Sequence, residues 1–238
     1  MVKRMEKILL ITPTYNESEN IQNFIDSTIK FKDLDLLVVD DNSPDGTATI
    51  IEKNMETSDS IKILKRSGKL GYGSAIIEGY KWGIKNNYHY FVQMDTDFSH
   101  RFEDLANLIK EKNNYDLVIG SRYVPKGGTI GWPKRRQYLS KYANRISGLV
   151  FKSEIKDQTS GFRLLNKKVV KEIINFNPKL NGYAFLVEIT NFIEENNYKI
   201  KEVPIIFQDR FYGTSKMNYK IILEAVIFLL KKVVKTKF

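Results

Sequence analysis

The sequence predicts an α/β fold: a single domain built on a mixed, mostly parallel sheet flanked by helices. Three observations predict it. Short apolar runs of strand composition alternate with helical stretches through the first half of the chain, the signature of repeated strand–helix–strand units. At 238 residues the chain is long enough for one full core, and two small domains are the poorer division. Polar and acidic residues also gather just past the ends of successive strands, where open parallel sheets bind ligands.

Taken in order, residues 8–12 are an apolar run closed by Pro13, a first buried strand. Thr14-Tyr15-Asn16-Glu17 forms a loop. Ser18 then caps a helix to about residue 30, with Ile21, Phe24, Ile25 and Ile29 on one face. Residues 36–39 make a second strand that ends on Asp40-Asp41-Asn42-Ser43-Pro44-Asp45-Gly46, an acidic turn followed by a helix from about Thr47. A third strand covers 61–64, and the Gly-rich stretch 66–73 opens a helix to about residue 85. That stretch lacks the spacing of a P-loop or a dinucleotide fingerprint, and reads as backbone shaped to lie near a nucleotide. A strand over 90–94, a helix over 103–112 and a strand over 117–119 follow. Beyond them, Gly127-Gly128 and Trp132-Pro133 mark an irregular crossing, and 135–151 reads as a helix mixing basic and apolar residues. Residues 203–207 suggest an edge strand, because Pro204 has no N–H to give a ladder.

The fourth strand ends on Asp95-Thr96-Asp97. Side chains alternate along an extended segment, so the two carboxylates share a side and converge on one cation. Hard ions such as Mg²⁺ or Mn²⁺ favour one or two carboxylates together with substrate phosphates, which makes this turn a candidate metal–diphosphate site. Solvated loop acids are the plainer reading of the tripeptide taken alone.

Composition narrows the class. With 42% hydrophobic and 28% charged residues, the chain reads as an ordinary globular protein. It has no cysteine, which excludes disulfides and thiolate metal sites and fits a reducing compartment. The basic start leads into a strand pattern with no secretory h-region, so no signal peptide is expected. The net charge of +10 is mostly scattered lysine and is concentrated only over 134–145 and in the tail; no nucleic-acid module is present.

Several loops together resemble the family 2 glycosyltransferases of GT-A (Rossmann-like) fold and, more narrowly, the polyprenyl- (dolichyl-) phosphate mannosyltransferases. The likeness runs from Ile8 to about Lys216. It rests on Pro13-Thr14-Tyr15-Asn16-Glu17, Val39-Asp40-Asp41-Asn42-Ser43-Pro44-Asp45-Gly46-Thr47 and Met94-Asp95-Thr96-Asp97-Phe98-Ser99-His100. It continues through Gly120-Ser121-Arg122-Tyr123, Gly131-Trp132-Pro133 with Arg136 and Ser140, Thr159-Ser160-Gly161-Phe162-Arg163, Glu202-Val203-Pro204, Asp209-Arg210 and Gly213-Thr214-Ser215-Lys216. Each piece alone is unspecific; their order and spacing together are not.

The resemblance implies inverting, metal-dependent transfer of mannose from GDP-mannose to a dolichyl or polyprenyl phosphate. It assigns the donor to Pro13, Tyr15, Glu17, Val39, Asp41, Asp95, Thr96, Asp97, Arg122, Arg210 and Lys216. Asp95 and Asp97 become the ligands of Mg²⁺ or Mn²⁺. Ser99 stands where some relatives supply a glutamine ligand, and its shorter side chain leaves that position to water. Arg122 and Arg210 are expected around the phosphates, where a guanidinium fork binds oxygens bidentately. Lys216 is expected on a loop that closes over the donor, with Gly213 as hinge. Arg136 and Ser140, four apart on one helical face, are expected to hold the acceptor phosphate. No general base is assigned, and His100 is read as a capping or supporting residue.

The catalytic domain is drawn at 1–216, with 217–238 as an amphipathic basic helix of the same unit. The apolar stretch 221–230 is too short to span a bilayer and is followed by Lys231, Lys232, Lys235 and Lys237. Peripheral attachment to the cytoplasmic membrane face is the expectation, with a small membrane-anchoring protein as a further partner; a core-docked C-terminal helix with a solvated tail is the alternative. Two rivals stay open: the same reaction with UDP-glucose, and a non-catalytic basic module binding lipid or nucleic acid.

Overall fold

A computed structural model describes residues 6–180 and 182–209. Among the described residues the chain runs β1 (Ile8–Thr14), α1 (Ser18–Thr28), β2 (Leu34–Asp40), α2 (Thr47–Met55), β3 (Ile61–Lys65), α3 (Tyr72–Lys85), β4 (Tyr90–Gln93) and α4 (Phe102–Lys110). It continues with β5 (Leu117–Ser121), β6 (Gly128–Ile130), α5 (Lys134–Phe151), β7 (Arg163–Asn166), α6 (Lys167–Phe176), α7 (Gly182–Glu195), β8 (Ile200–Pro204) and β9 (Ile206–Gln208). Seven strands form one sheet in the order β3-β2-β1-β4-β7-β5-β8, while β6 and β9 pair separately. In the large sheet β7 alone is antiparallel, to β4 and β5.

Alternation along the central strands builds a three-layer sandwich. Ile8 and Leu10 of β1 face a core shared with Ile21, Phe24 and Ile25 of α1 and Leu105 and Leu108 of α4. Leu9 and Ile11 face the other way, onto Ala75, Ile76 and Tyr80 of α3 and the apolar stripes of α6 and α7. Both faces are buried, so β1 and β2 read as continuous apolar runs. Each fully buried Leu or Ile contributes roughly 1.5–3 kcal/mol. Helix α3 lies close on the sheet because Gly83 has no side chain: a Cβ there would stand 2.5 Å from the Phe91 ring.

The structure departs from the sequence reading at identifiable points. Pro13 belongs to β1 and pairs with Val39, because β4 stops pairing at Ile11–Gln93 and little of the ladder depends on the missing N–H. Ser18 does not cap α1. Glu17 is the N-cap residue, and the Ser18 N–H donates to Asp45 Oδ2 at 2.9 Å, a cap supplied from the neighbouring loop. Ile29 lies past the end of the helix and is exposed. The expected strand at 203–207 is two strands: Pro204 ends β8, at the sheet's edge as expected, and after Ile205 the chain crosses to the small sheet as β9. Strand β7 was not foreseen.

Candidate functional site

β1 and β4 are parallel neighbours, and β2 and β3 continue from β1 to the other side, so the order of strands reverses between β1 and β4. A crevice forms beyond the strand ends at such a point. The loops after β1, β2 and β4 meet there, bringing together Tyr15, Asp41 and the Asp95–Asp97 turn.

On one side the loops after β1 and β2 are laced to each other. The N–H groups of Asn16, Glu17 and Ser18 donate to Ser43 Oγ, Thr47 Oγ1 and Asp45 Oδ2 at 3.0, 3.0 and 2.9 Å. Burial alone would raise the Asp45 pKa, but hydrogen bonds from Thr47 and Ser18 together outweigh it and lower it. Asp40 is internal to the turn, accepting from Thr14 Oγ1 and from both the N–H and Oγ of Ser43. Asp41 instead anchors the Gly-rich stretch: its carboxylate accepts from Arg66 Nη1 at 2.7 Å and from the Leu70 N–H at 3.1 Å. Lys69 from that stretch places its Nζ 4.4 Å over the Tyr15 ring. Glu17 accepts from Asn20 Nδ2 at 2.9 Å. The Val39 side chain is fully buried in the core beneath α3, which leaves its backbone to border the turn.

At the centre, the Asp95 side chain is 39% exposed, whereas Thr96, Asp97 and Ser99 are buried. Asp97 Oδ1 accepts the Ser99 N–H at 3.0 Å, closing a tight turn. Phe98 takes a left-handed φ of 58° in that turn. Such backbone costs about 1–3 kcal/mol in a residue with a side chain. Its ring packs on Phe24 and Phe102, with centroids 6.2 and 6.3 Å away, which offsets the strain and pins the turn. Ser99 sends its carbonyl to the Gln208 N–H.

His100 Nδ1 accepts the Asp95 N–H at 3.3 Å, and its ring stacks on Phe162 at 4.9 Å. Burial holds the imidazole pKa down at about 4, so it is neutral near pH 7. Gly161 borders the same space: a Cβ there would lie 2.9 Å from Tyr72 Oη and 3.9 Å from Asp95 Oδ2. Among the described residues no group of three or more His, Cys, Asp or Glu gathers to hold an ion. Two hard carboxylates on one turn, one reaching solvent, fit a divalent cation whose other ligands come from a diphosphate and water.

On the other side, Arg122 is buried and bound to Asp157 through Nε at 2.7 Å and Nη2 at 2.6 Å, with Thr159 Oγ1 2.9 Å from Nη2. The fork is thus engaged by a carboxylate that the sequence reading did not name. The Asp157 N–H in turn donates to Glu202 at 2.9 Å. Arg136 and Ser140 do share a face of α5. The Arg136 guanidinium lies 3.9 Å over the Trp132 ring and pairs with Asp209 at 3.0 Å, while Ser140 Oγ is 2.7 Å from Tyr123 Oη. Beneath this side Arg163 is fully buried, donating to the carbonyls of Ser160, Gln158 and Leu186 at 2.7, 2.6 and 3.2 Å. Burial lowers its pKa to about 10, so it keeps its charge near neutrality.

Arg210, Lys216, Gly213 and the tail 217–238 lie outside the described residues. Sequence reasoning passed over Asp157, Arg66 and Trp132 as site residues. Asp157 has one local signal, its place two residues ahead of the Thr159-Ser160-Gly161-Phe162-Arg163 motif.

The family model described as glycosyl transferase family 2 matches residues 9–174. A polyprenol monophosphomannose synthase of Mycolicibacterium smegmatis is 37% identical over 228 residues, covering 94% of this chain and 86% of that protein. An undecaprenyl-phosphate mannosyltransferase of Micrococcus luteus is 36% identical over 225 residues, covering 93% and 91%. Among solved structures, glucosyl-3-phosphoglycerate synthase of Mycobacterium tuberculosis, with Mn²⁺, UDP and phosphoglyceric acid, superposes with TM-score 0.68 at 16% identity over 96% of this chain and 78% of that one. A Pyrobaculum calidifontis mannosyltransferase with GDP-Man and Mn²⁺ gives TM-score 0.62 at 14% identity, covering 98% and 65%. At these identities the two structures speak for the fold.

Proposed function

The chain belongs to glycosyltransferase family 2, and from that premise we propose that it transfers mannose with inversion from GDP-mannose to a polyprenyl phosphate. The observation that carries this reading is the Asp95–Asp97 turn, flanked on one side by the Tyr15–Asp41 loops and on the other by the arginines 122 and 136. The names of the two relatives, each similar over more than nine tenths of this chain, support the mannosyl and polyprenyl halves of the reaction. The Mn²⁺ in the two structural neighbours supports a divalent ion, and GDP-Man in one supports the donor.

In this reading Asp95 and Asp97 would hold Mg²⁺ or Mn²⁺. When bound, the ion neutralises charge on the departing diphosphate. Tyr15 offers a ring for the base and Glu17 an acceptor for base or ribose donors, while Asp41 keeps the Gly-rich stretch in place beside them. His100 steadies the Asp95 peptide. Arg136 and Ser140 take the acceptor phosphate, with Arg122 nearby; Arg210 and Lys216 are assigned to the donor phosphates. An oxygen of the acceptor phosphate attacks the anomeric carbon as the bond to GDP breaks. That oxygen is already ionised near neutral pH, so alignment and leaving-group stabilisation carry the rate and no protein base is needed. We assign the catalytic unit to residues 1–216.

Labelled mannose is expected to pass from GDP-mannose to a short polyprenyl phosphate when Mg²⁺ or Mn²⁺ is present, and to stop passing when the ion is chelated. Turnover with UDP-glucose instead would keep the chemistry and change the donor. Silence with every donor, together with no metal-dependent binding of a nucleotide, sinks the reading.

The acceptor's lipid requires access to a bilayer, and we assign this protein to the cytoplasmic membrane face as a peripheral enzyme. Among the described residues no helix is long and apolar enough to cross a membrane. Support comes from α5, whose amphipathicity is inverted. Its buried residues are the polar Asn144 and Ser147, bonded to Thr159 and Gln158. Its outward face carries Tyr138, Leu139, Tyr142 and Leu149, each more than 60% exposed, among the exposed Arg135, Lys141 and Arg145. Basic and apolar residues so mixed suit an anionic interface. The protein is expected to float with anionic vesicles, and the pair Leu139→Glu and Leu149→Glu to cut the floated fraction at least ~5-fold, about 1 kcal/mol. Flotation unaffected by the pair rules α5 out as the attachment; flotation only beside a membrane protein shifts attachment to a partner.

A further inference from the structure

Resting on the acceptor assignment above, we propose that the indole N–H of Trp132 is a phosphate-binding donor, a neutral third contact between the guanidiniums of Arg122 and Arg136. Trp132 lies in the connection between β6 and α5 and is 8% exposed. Its Nε1 is buried and, among the described residues, has no hydrogen-bond acceptor. Native structures rarely leave a buried donor so, and such a group calls for a ligand or another explanation.

The surroundings indicate which ligand. The Arg136 guanidinium covers the ring at 3.9 Å, and that of Arg122 stands 5.5 Å from its centroid. Phe207 closes another side edge-on, at 5.2 Å. The neighbouring carboxylates are already engaged, Asp157 by Arg122 and Asp209 by Arg136. Two guanidiniums against one ring, one of them held by an exposed carboxylate, and a dry N–H on that ring match an anion with several acceptor oxygens on a compact centre. A phosphate monoester has that form.

The two ion pairs differ in how readily they yield. The Arg122–Asp157 pair is buried and two-pronged, so it holds its geometry as ligand arrives. The Arg136–Asp209 pair is about two-fifths exposed on each side, and exposed pairs are weak. An incoming phosphate therefore shares or displaces Asp209 at Arg136 and meets the indole beside it. Trp132 is then both a ligand contact and the surface that sets the angle of Arg136.

The chain has only two tryptophans, so a ¹⁵N-labelled sample gives two indole signals. The other, Trp82 of α3, stacks on Tyr88 beyond the helix and serves as an internal control, with Trp82→Phe completing the assignment. In titration with farnesyl phosphate beside GDP and Mg²⁺, the Trp132 Nε1–H is expected to move downfield and saturate while Trp82 stays still. Trp132→Phe keeps a ring for Arg136 but removes the donor. It is expected to raise KM for the acceptor roughly 10-fold, the worth of one bond to a charged group, with KM for GDP-mannose and Tm unchanged.

Calorimetric binding of farnesyl phosphate with an unmoved Trp132 signal overturns this inference and leaves the function standing. No binding of the ester at all overturns both. A shift as large and as tight with inorganic phosphate assigns the contact to free phosphate and overturns the lipid assignment. Equal rises in both KM values, or a lower Tm, reduce Trp132 to a packing role and overturn it as well.

Discussion

Asp95→Asn and Asp97→Asn are each expected to slow mannosyl transfer by about three orders of magnitude, roughly 4 kcal/mol of lost transition-state stabilisation. Asparagine is nearly isosteric and removes one negative charge, so the comparison isolates electrostatics from shape. At position 97 the amide oxygen still accepts the Ser99 N–H, and the Phe98 backbone is still pinned by its aromatic neighbours. Asp95 is the more open of the two and makes its backbone contact to His100 through its own N–H, which the substitution leaves in place. Tm should therefore change little in either variant, while Mg²⁺ or Mn²⁺ binding in the presence of GDP, read by calorimetry, weakens in both. A variant that retains transfer to within 10-fold (~1.4 kcal/mol) or turns over equally well with chelator would remove these carboxylates from the chemistry.

Asp157→Ala is expected to lower stability by about 3–5 kcal/mol, because it leaves the buried Arg122 guanidinium without its carboxylate. For a chain of this size that is a fall in Tm of roughly 6–20 °C. Removing both charges has a different outcome. The double replacement Arg122→Met with Asp157→Asn should recover much of the stability, since no unpaired charge stays buried and the amide oxygen still accepts the Arg122 backbone N–H. Transfer should not return with it if Arg122 acts on phosphate oxygens. Denaturant midpoints for the two single variants and the double, set beside their rates, separate the two roles. An Asp157→Ala protein that unfolds at the parent midpoint would show that the pair holds nothing together.

The half of the site proposed for the donor was legible in the sequence for a local reason. Tyr15, Asp41 and Asp95 each follow an apolar run within three residues, so composition announced both the strand and the loop beyond it. The half proposed for the acceptor was legible only in part. Arg136 and Ser140 declare their shared face by a spacing of four, but Arg122 meets Asp157 across 35 residues of sequence, and no pattern within either stretch marks the pair. Arg66 and Asp41 are likewise joined only by the fold. Strand β7 escaped because it is four residues long and begins with a charged side chain, against every local rule for a central strand. Val39 adjoins the Asp41 turn, and alternation turns its side chain into the core.

The buried guanidinium of Arg163 has a consequence beyond packing. Its three hydrogen bonds run to carbonyl dipoles, and core side chains wall it off from mobile ions. Counterions diminish a surface charge within about 10 Å at 0.1 M salt, but they cannot approach this one. It therefore keeps a fixed positive charge beneath the crevice, one that salt screens less than a charge on the surface. Raising salt should loosen the protein's hold on a bilayer well before it loosens its hold on a nucleotide.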